Sequence, residues 1–340
     1  MMRKSRLQWY LLSALLLLTI VLALCAGRYA VSVTTVLQIL ADTLTGRSPS
    51  AEYSRTAENV VLYVRLPRIL IAGLAGAGLA VAGAALQGIF RNPLVGPQII
   101  GVSSGAALGG ALALLLFSSL FITISFAFLG GLLAIVLVFL LGLNRHGSSL
   151  LMLILAGVII NAFFAALISL ITYFADPNNT LQTIVFWLMG SFATATYLKV
   201  SLLLPVVIIA GGIIFALRFR INVLSLGEEN AQALGLPVTA TRWTILVCVT
   251  LITSATVAVS GTIGWVGLII PHIARLLSGH DHRTLLPASA LTGAIYLIAV
   301  DTLARSMTSA EIPLSVITAL IGAPIFALLI HSMNKKVADL

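Results

Sequence analysis

From Leu7 onward the chain is a succession of long apolar runs parted by short polar stretches, and this pattern constrains its fold more than any other feature. A run of about 20 apolar residues, wound at about 1.5 Å per residue, matches the roughly 30 Å hydrocarbon core of a bilayer. Runs of that length read as transmembrane helices, whose backbone N–H and C=O groups are satisfied within the segment. Composition agrees: 60% of the 340 residues are hydrophobic and 9% are charged, against about 25% charged in an average soluble chain. About 204 apolar residues suffice for about ten spans at ~20 residues each. The expectation is a single all-α transmembrane domain over 1–340, a polytopic bundle of about ten helices.

The spans are placed at 8–27, 66–90, 98–117, 121–143, 150–174, 199–219, 243–263, 265–277, 284–307 and 314–333. Gly261, Gly264, Gly267 and Pro271 break the chain ahead of the eighth and leave it short. Between the first two spans lies a polar stretch with an amphipathic piece, Val31 to Leu44. Arg3, Lys4 and Arg6 before the run Leu11 to Ala26 mimic a signal peptide, but no A-x-A site follows, and an uncleaved first helix is expected. With the N-terminus inside, 12 Lys and Arg fall on the cytoplasmic side and 7 outside, together the full 19. The positive-inside bias therefore accounts for the net charge of +9. A nucleic-acid partner is not called for, and membrane lipid is the expected surrounding. Both termini are then cytoplasmic.

The second span is crowded with small residues (Gly73, Ala75, Gly76, Ala77, Gly78, Ala80, Ala82, Gly83, Ala84 and Ala85). Small residues let helices approach closely in lipid, so a helix small on every face belongs at the centre of the subunit. A short echo between Ala80–Gly83 and Val257–Gly261, in helices of opposite direction, fits an inverted repeat.

Few residues carry chemistry. Cys25 and Cys248 lie far apart in apolar runs and make no disulfide framework. No Gly-Lys pair exists, so there is no phosphate-cradling loop, and any ATP hydrolysis belongs to another chain. Gly279-His280-Asp281-His282 reads as a solvated loop rather than a metal centre, and His272 as a hydrogen-bonding residue at a helix start. Asn161 either lines a path or bridges two helices. Asp301 stands as the one acid deep in an apolar run, four residues before Arg305, a spacing that permits a pair on one helix face. So little intramembrane charge leaves ion coupling poorly supplied, which favours energy from a partner protein over a stand-alone secondary transporter. The longest inner connection, Arg220 to Arg242, contains a short helix opened by Gly227 with Glu228 and Glu229 in its first turn and stopped by Gly235 and Pro237. Leu226, Ala233 and Leu234 give it an apolar edge. It reads either as an ordinary loop or as a rigid element on which a motor subunit docks.

Several blocks carry a resemblance. Arg65-Leu66-Pro67-Arg68, Gln87 to Leu94, Gly101 to Ala106, Leu226-Gly227-Glu228 with Leu234-Gly235, Gly267 to His272, and Gly322 to Phe326 resemble the permeases of type II ATP-binding-cassette importers for iron-siderophores, haem and cobalamin. The blocks run in family order from residue 65 to 326. The resemblance implies a second copy of the chain, two ATP-binding cassette subunits, a periplasmic substrate-binding protein and the bacterial inner membrane. It puts ATP and Mg on the ATPase chains, with no cofactor, metal site or catalytic residue on this one. A ferric siderophore is the expected cargo, with cobalamin, haem or molybdate as alternatives.

The resemblance also assigns roles. Gly227, Glu228, Glu229, Ala231, Leu234 and Gly235 match the family's coupling helix. Arg65, Arg68 and Arg305 match arginines that pair with glutamates on the binding protein. They stand at outer helix ends where the positive-inside rule does not place them, and the guanidinium fork suits carboxylates. Ser148 and Ser149 match a short cytoplasmic gate loop only after a small shift, and a simple turn is the other reading there.

Overall fold

The computed structural model describes residues 2–46, 53–117, 119–142, 150–308 and 310–338. Its helices are α1 (Met2–Cys25), α2 (Val33–Thr45), α3 (Arg55–Asn59), a π-helical turn (Val60–Arg65), α4 (Leu66–Phe90), α5 (Val102–Leu116), α6 (Leu120–Gly142), α7 (Leu150–Phe174), α8 (Thr180–Leu188), α9 (Tyr197–Ala216), α10 (Arg218–Ser225), α11 (Glu228–Ala233), α12 (Val238–Ser260), α13 (Val266–Ser278), α14 (His282–Ser306) and α15 (Leu314–Ala338). Each of the ten expected spans is a helix. Among the described residues, seven are long and apolar enough to cross a membrane unaided. At 15 and 13 residues, α5 and α13 are too short to do so, since 13 residues rise only about 20 Å.

The amphipathic piece is α2, opened by Ser32, whose side chain accepts from Thr35 N, and closed by Gly46 at φ 64. Sequence placed a helix start at Leu66. The structure instead carries one helical rod from Arg55 to Phe90, with a π-helical turn ahead of Pro67. Proline has no N–H to give the preceding turn and its ring crowds the carbonyl four residues back, so the backbone widens there.

The rod's second half, α4, is the axis of the bundle. It packs against α14, α13, α12, α9 and α10, and nearly all its small residues are buried. A Cβ at Gly76 would overlap the Gly293 carbonyl of α14, and one at Gly83 would overlap the Gly267 carbonyl of α13. At both crossings only glycine admits the neighbouring backbone. α12 is the other deeply buried helix. It starts beside α11, at the end of the bundle where α4 finishes, so α4 and α12 run in opposite directions.

The breaks around α5 and α13 meet inside the bundle. Gln87 Nε2 donates to Leu268 O, Arg275 donates to Gln87 Oε1, and Gly157 of α7 sits against Ile99 O. Non-helical backbone at membrane depth is tolerated where it is buried in protein or lines water, and the two breaks cover each other.

Candidate functional site

Two rims of the bundle gather the polar groups singled out from the sequence. The first carries the end of α1, α2, α3, the start of α4 and the α14–α15 connection. Here Arg65 donates to Leu24 O at 2.5 Å, to Cys25 O at 3.1 Å and to Tyr29 O, closing the carbonyl end of α1. Arg305 does the same from the other side, donating to Ala23 O and, at 2.8 Å, to Ala26 O. Arg68 is the hub: its Nε lies 2.9 and 2.8 Å from the Asp301 oxygens, and Nη1 and Nη2 each lie 2.9 Å from the Glu311 oxygens. Asp301 is 1% exposed, with Arg305 Nε at 3.8 Å.

In the single chain the three arginines expected to meet a binding protein, Arg65, Arg68 and Arg305, each have partners of their own. All three are buried and their donors are committed within the chain. The reason is that α1 ends beneath the rim, where its last carbonyls have no intrahelical partner, and that Asp301 would otherwise be a buried lone charge. The i,i+4 relation of Asp301 to Arg305 holds, but Arg68 is the closer partner. Among the described residues, Arg28 and Arg55 are the exposed cations of this rim. Sequence reasoning missed Glu311, whose signal was an acid isolated in the short connection before α15. Burial pushes its carboxyl up, but hydrogen bonds and charge from Arg68 more than offset this and hold it below the ordinary carboxylate range.

The opposite rim holds α10 and α11. Gly227 takes φ 119 and Gly235 φ 74, so both stops of α11 need glycine. Glu228 reaches Arg242 of α12 at 2.9 Å, and Ser225 Oγ donates to Gly88 O at 3.3 Å. Arg91, in the left-handed conformation (φ 52), closes α4 beside Gly227. α11 is thus tied directly to the start of α12 and, through α10, to the end of α4. Leu226 (67% exposed) and Leu234 (69%) stand outward with Ala233 and Glu229. Ala231 is 0% exposed and anchors the helix from within, which assigns it a packing place rather than one on the outward face. Ser148 and Ser149 lie outside the described residues.

His282 begins α14 behind its N-cap, Asp281, and shares Asn222 Oδ1 through both its backbone N–H and Nδ1, tying α14 to α10. Asn161 bridges: its Nδ2 donates to Gln98 O at 2.8 Å, and Ser104 Oγ donates to its Oδ1 at 2.5 Å.

Residues 15–332 match the FecCD transport family. The molybdate import system permease of Haemophilus influenzae is 45% identical over 324 residues, 95% of each chain. The cobalamin import system permease of Halobacterium salinarum is 41% identical, covering 83% of this chain and 76% of that one. The hemin transport permease of Yersinia pestis is 38% identical, covering 82% and 85%. A solved metal-chelate type ABC transporter in an inward-facing conformation superposes with a TM-score of 0.85 at 44% identity, over 96% of this chain and 99% of that one.

Proposed function

The chain belongs to the FecCD transport family, the multi-pass membrane permeases of type II ABC importers, and from that premise we propose that two copies form a central path driven by two ATPase chains docked at α11. The observation that carries this is the outward Leu226–Leu234 face on a helix tied directly to α12 and, through α10, to α4. An apolar pair exposed beside acids at the end of a bundle suits a partner's groove, and its rigid tie to the two deepest helices transmits the partner's motion.

In this reading the α11 rim and both termini are cytoplasmic and the membrane is the bacterial inner membrane. ATP and Mg are bound by the ATPase chains. The α2 rim receives the binding protein, with Arg28 and Arg55 as the exposed cations for its acids and the Arg65–Arg68–Arg305 cluster holding the rim in shape. The cargo class is a metal-bearing solute, with a ferric siderophore as the first proposal. A second reading, molybdate, is favoured by the 45% identity that runs over 95% of both chains.

The test is uptake into proteoliposomes containing this chain, its ATPase and its binding protein. ATP-dependent accumulation of ferric siderophore, molybdate, cobalamin or haem identifies the cargo. Uptake of any of them without the ATPase chain would overturn the importer reading.

A further inference from the structure

The break between α4 and α5 carries the carboxamide of Gln98. Gln98 is exposed, and its carboxamide makes no hydrogen bond within the chain among the described residues. Its depth follows from its neighbours. The recess it lines also contains Leu79, Ser103, Ile263, Trp265 and Leu268. Leu79 lies eleven residues before Phe90, the inner end of the Arg55–Phe90 rod, about 16 Å along it and thus about half the roughly 30 Å hydrocarbon thickness. Asn161, whose Nδ2 donates to Gln98 O, lies eleven residues after Leu150 and thirteen before Phe174 of α7. Both rulers put the carboxamide near the middle of the bilayer.

The backbone there is built to present it. Gly101 takes φ 84 to start α5, and Asn161 accepts from Ser104 while holding Gln98 O, so the loop is clamped on both sides of the glutamine. Across the recess, Gly264 passes so close that a Cβ would stand 3.0 Å from Gln98 Nε2. Trp265, at φ 70, turns toward Phe326 of α15, with ring centroids 6.2 Å apart. A carboxamide with no partner is strongly disfavoured against lipid, and irregular backbone at this depth belongs beside protein or water.

We infer that Gln98 lines the water-filled translocation path at its midpoint and hydrogen-bonds passing cargo, with the recess between the α4–α5 and α12–α13 breaks as the path wall. This rests on the importer reading and adds to it the residue that meets the solute. A carboxamide offers one acceptor and two donors without charge. It therefore serves the polar oxygens of an oxyanion or a chelate equally and holds neither tightly, as release on the far side requires.

The experiment uses the assembled complex in proteoliposomes, in a background with Cys25→Ser and Cys248→Ala. ATP-driven uptake by that background tests the importer reading alone. Gln98→Cys and Ile209→Cys, the latter on an exposed apolar stripe of α9, are then labelled with the charged, membrane-impermeant reagent MTSET, nucleotide-free and vanadate-trapped. The reagent needs a hydrated thiolate, so labelling at position 98 should be at least about tenfold faster than at 209 in one of the two states. A rate no faster than at 209 in both states overturns the path assignment even if uptake is intact. Gln98→Leu should slow uptake several-fold with complex assembly unchanged, and Gln98→Asn should restore much of it. Wild-type uptake by Gln98→Leu would remove the proposed contact with cargo.

Discussion

Arg68→Met is the perturbation that most directly separates a structural arginine from a docking one. It removes the forked contacts at 2.8–2.9 Å to Asp301 and both 2.9 Å contacts to Glu311 while keeping much of the side chain's apolar length. Asp301, 1% exposed, is then left with Arg305 Nε at 3.8 Å, and that guanidinium already spends its other nitrogens on Ala23 O and Ala26 O. Removing one partner of a buried pair and stranding the other is destabilising by about 3–5 kcal/mol, about two to four decades in the folded-to-unfolded ratio. The Glu311 side chain is 33% exposed, so screening reduces its share to about 1 kcal/mol. Neutralising the stranded acid should reverse most of the loss, and Arg68→Met with Asp301→Asn is expected to regain more than half of it. Detergent-solubilised protein titrated with SDS, followed by tryptophan fluorescence, reads the unfolding midpoint. A single variant within about 1 kcal/mol of wild type would refute the reasoning. So would a double variant no more stable than the single one.

Leu226→Asp with Leu234→Asp should abolish co-purification of the ATPase chain while leaving the SDS midpoint unchanged, whereas Ala231→Arg should lower that midpoint because residue 231 is fully enclosed. Gly83→Ala should destabilise by at least about 1–3 kcal/mol through overlap with the Gly267 carbonyl. Gly73→Ala, whose Cβ meets Ile298 Cδ1 at an ordinary 3.5 Å, should fold and transport normally. The Glu311 carboxyl is held below its usual range in the folded state. Its contribution should therefore be complete above the unfolded value of about 4.3 and fade as pH falls through the lower folded value. The stability difference between wild type and Glu311→Gln, measured against pH, should be level near neutrality and shrink below about pH 4; a difference that grows on acidification would contradict the sign.

The bundle itself was legible in the chain because lipid leaves the backbone so few options. Apolar run length alone located the helices, and the small residues of α4 announced its central place, since only a helix enclosed by others dispenses with large side chains. Gly227, Gly235 and Pro237 likewise marked the limits of α11 locally, by the conformations that glycine and proline favour or forbid. What the sequence could not settle is which face of an element is covered. Ala231 and Leu234 both match the family's coupling helix, and only the tertiary structure encloses the first and leaves the second outside. The three outer arginines read as available charge because their partners are distant in sequence. Leu24 O is 41 residues from Arg65, and Asp301 and Glu311 are 233 and 243 residues from Arg68. Only the packing of α1, α4 and α14 brings them together. Gln98 shows the converse: one polar residue in a loop became informative only when the meeting of two helix breaks put it at the centre of the membrane, where an unpaired carboxamide requires water.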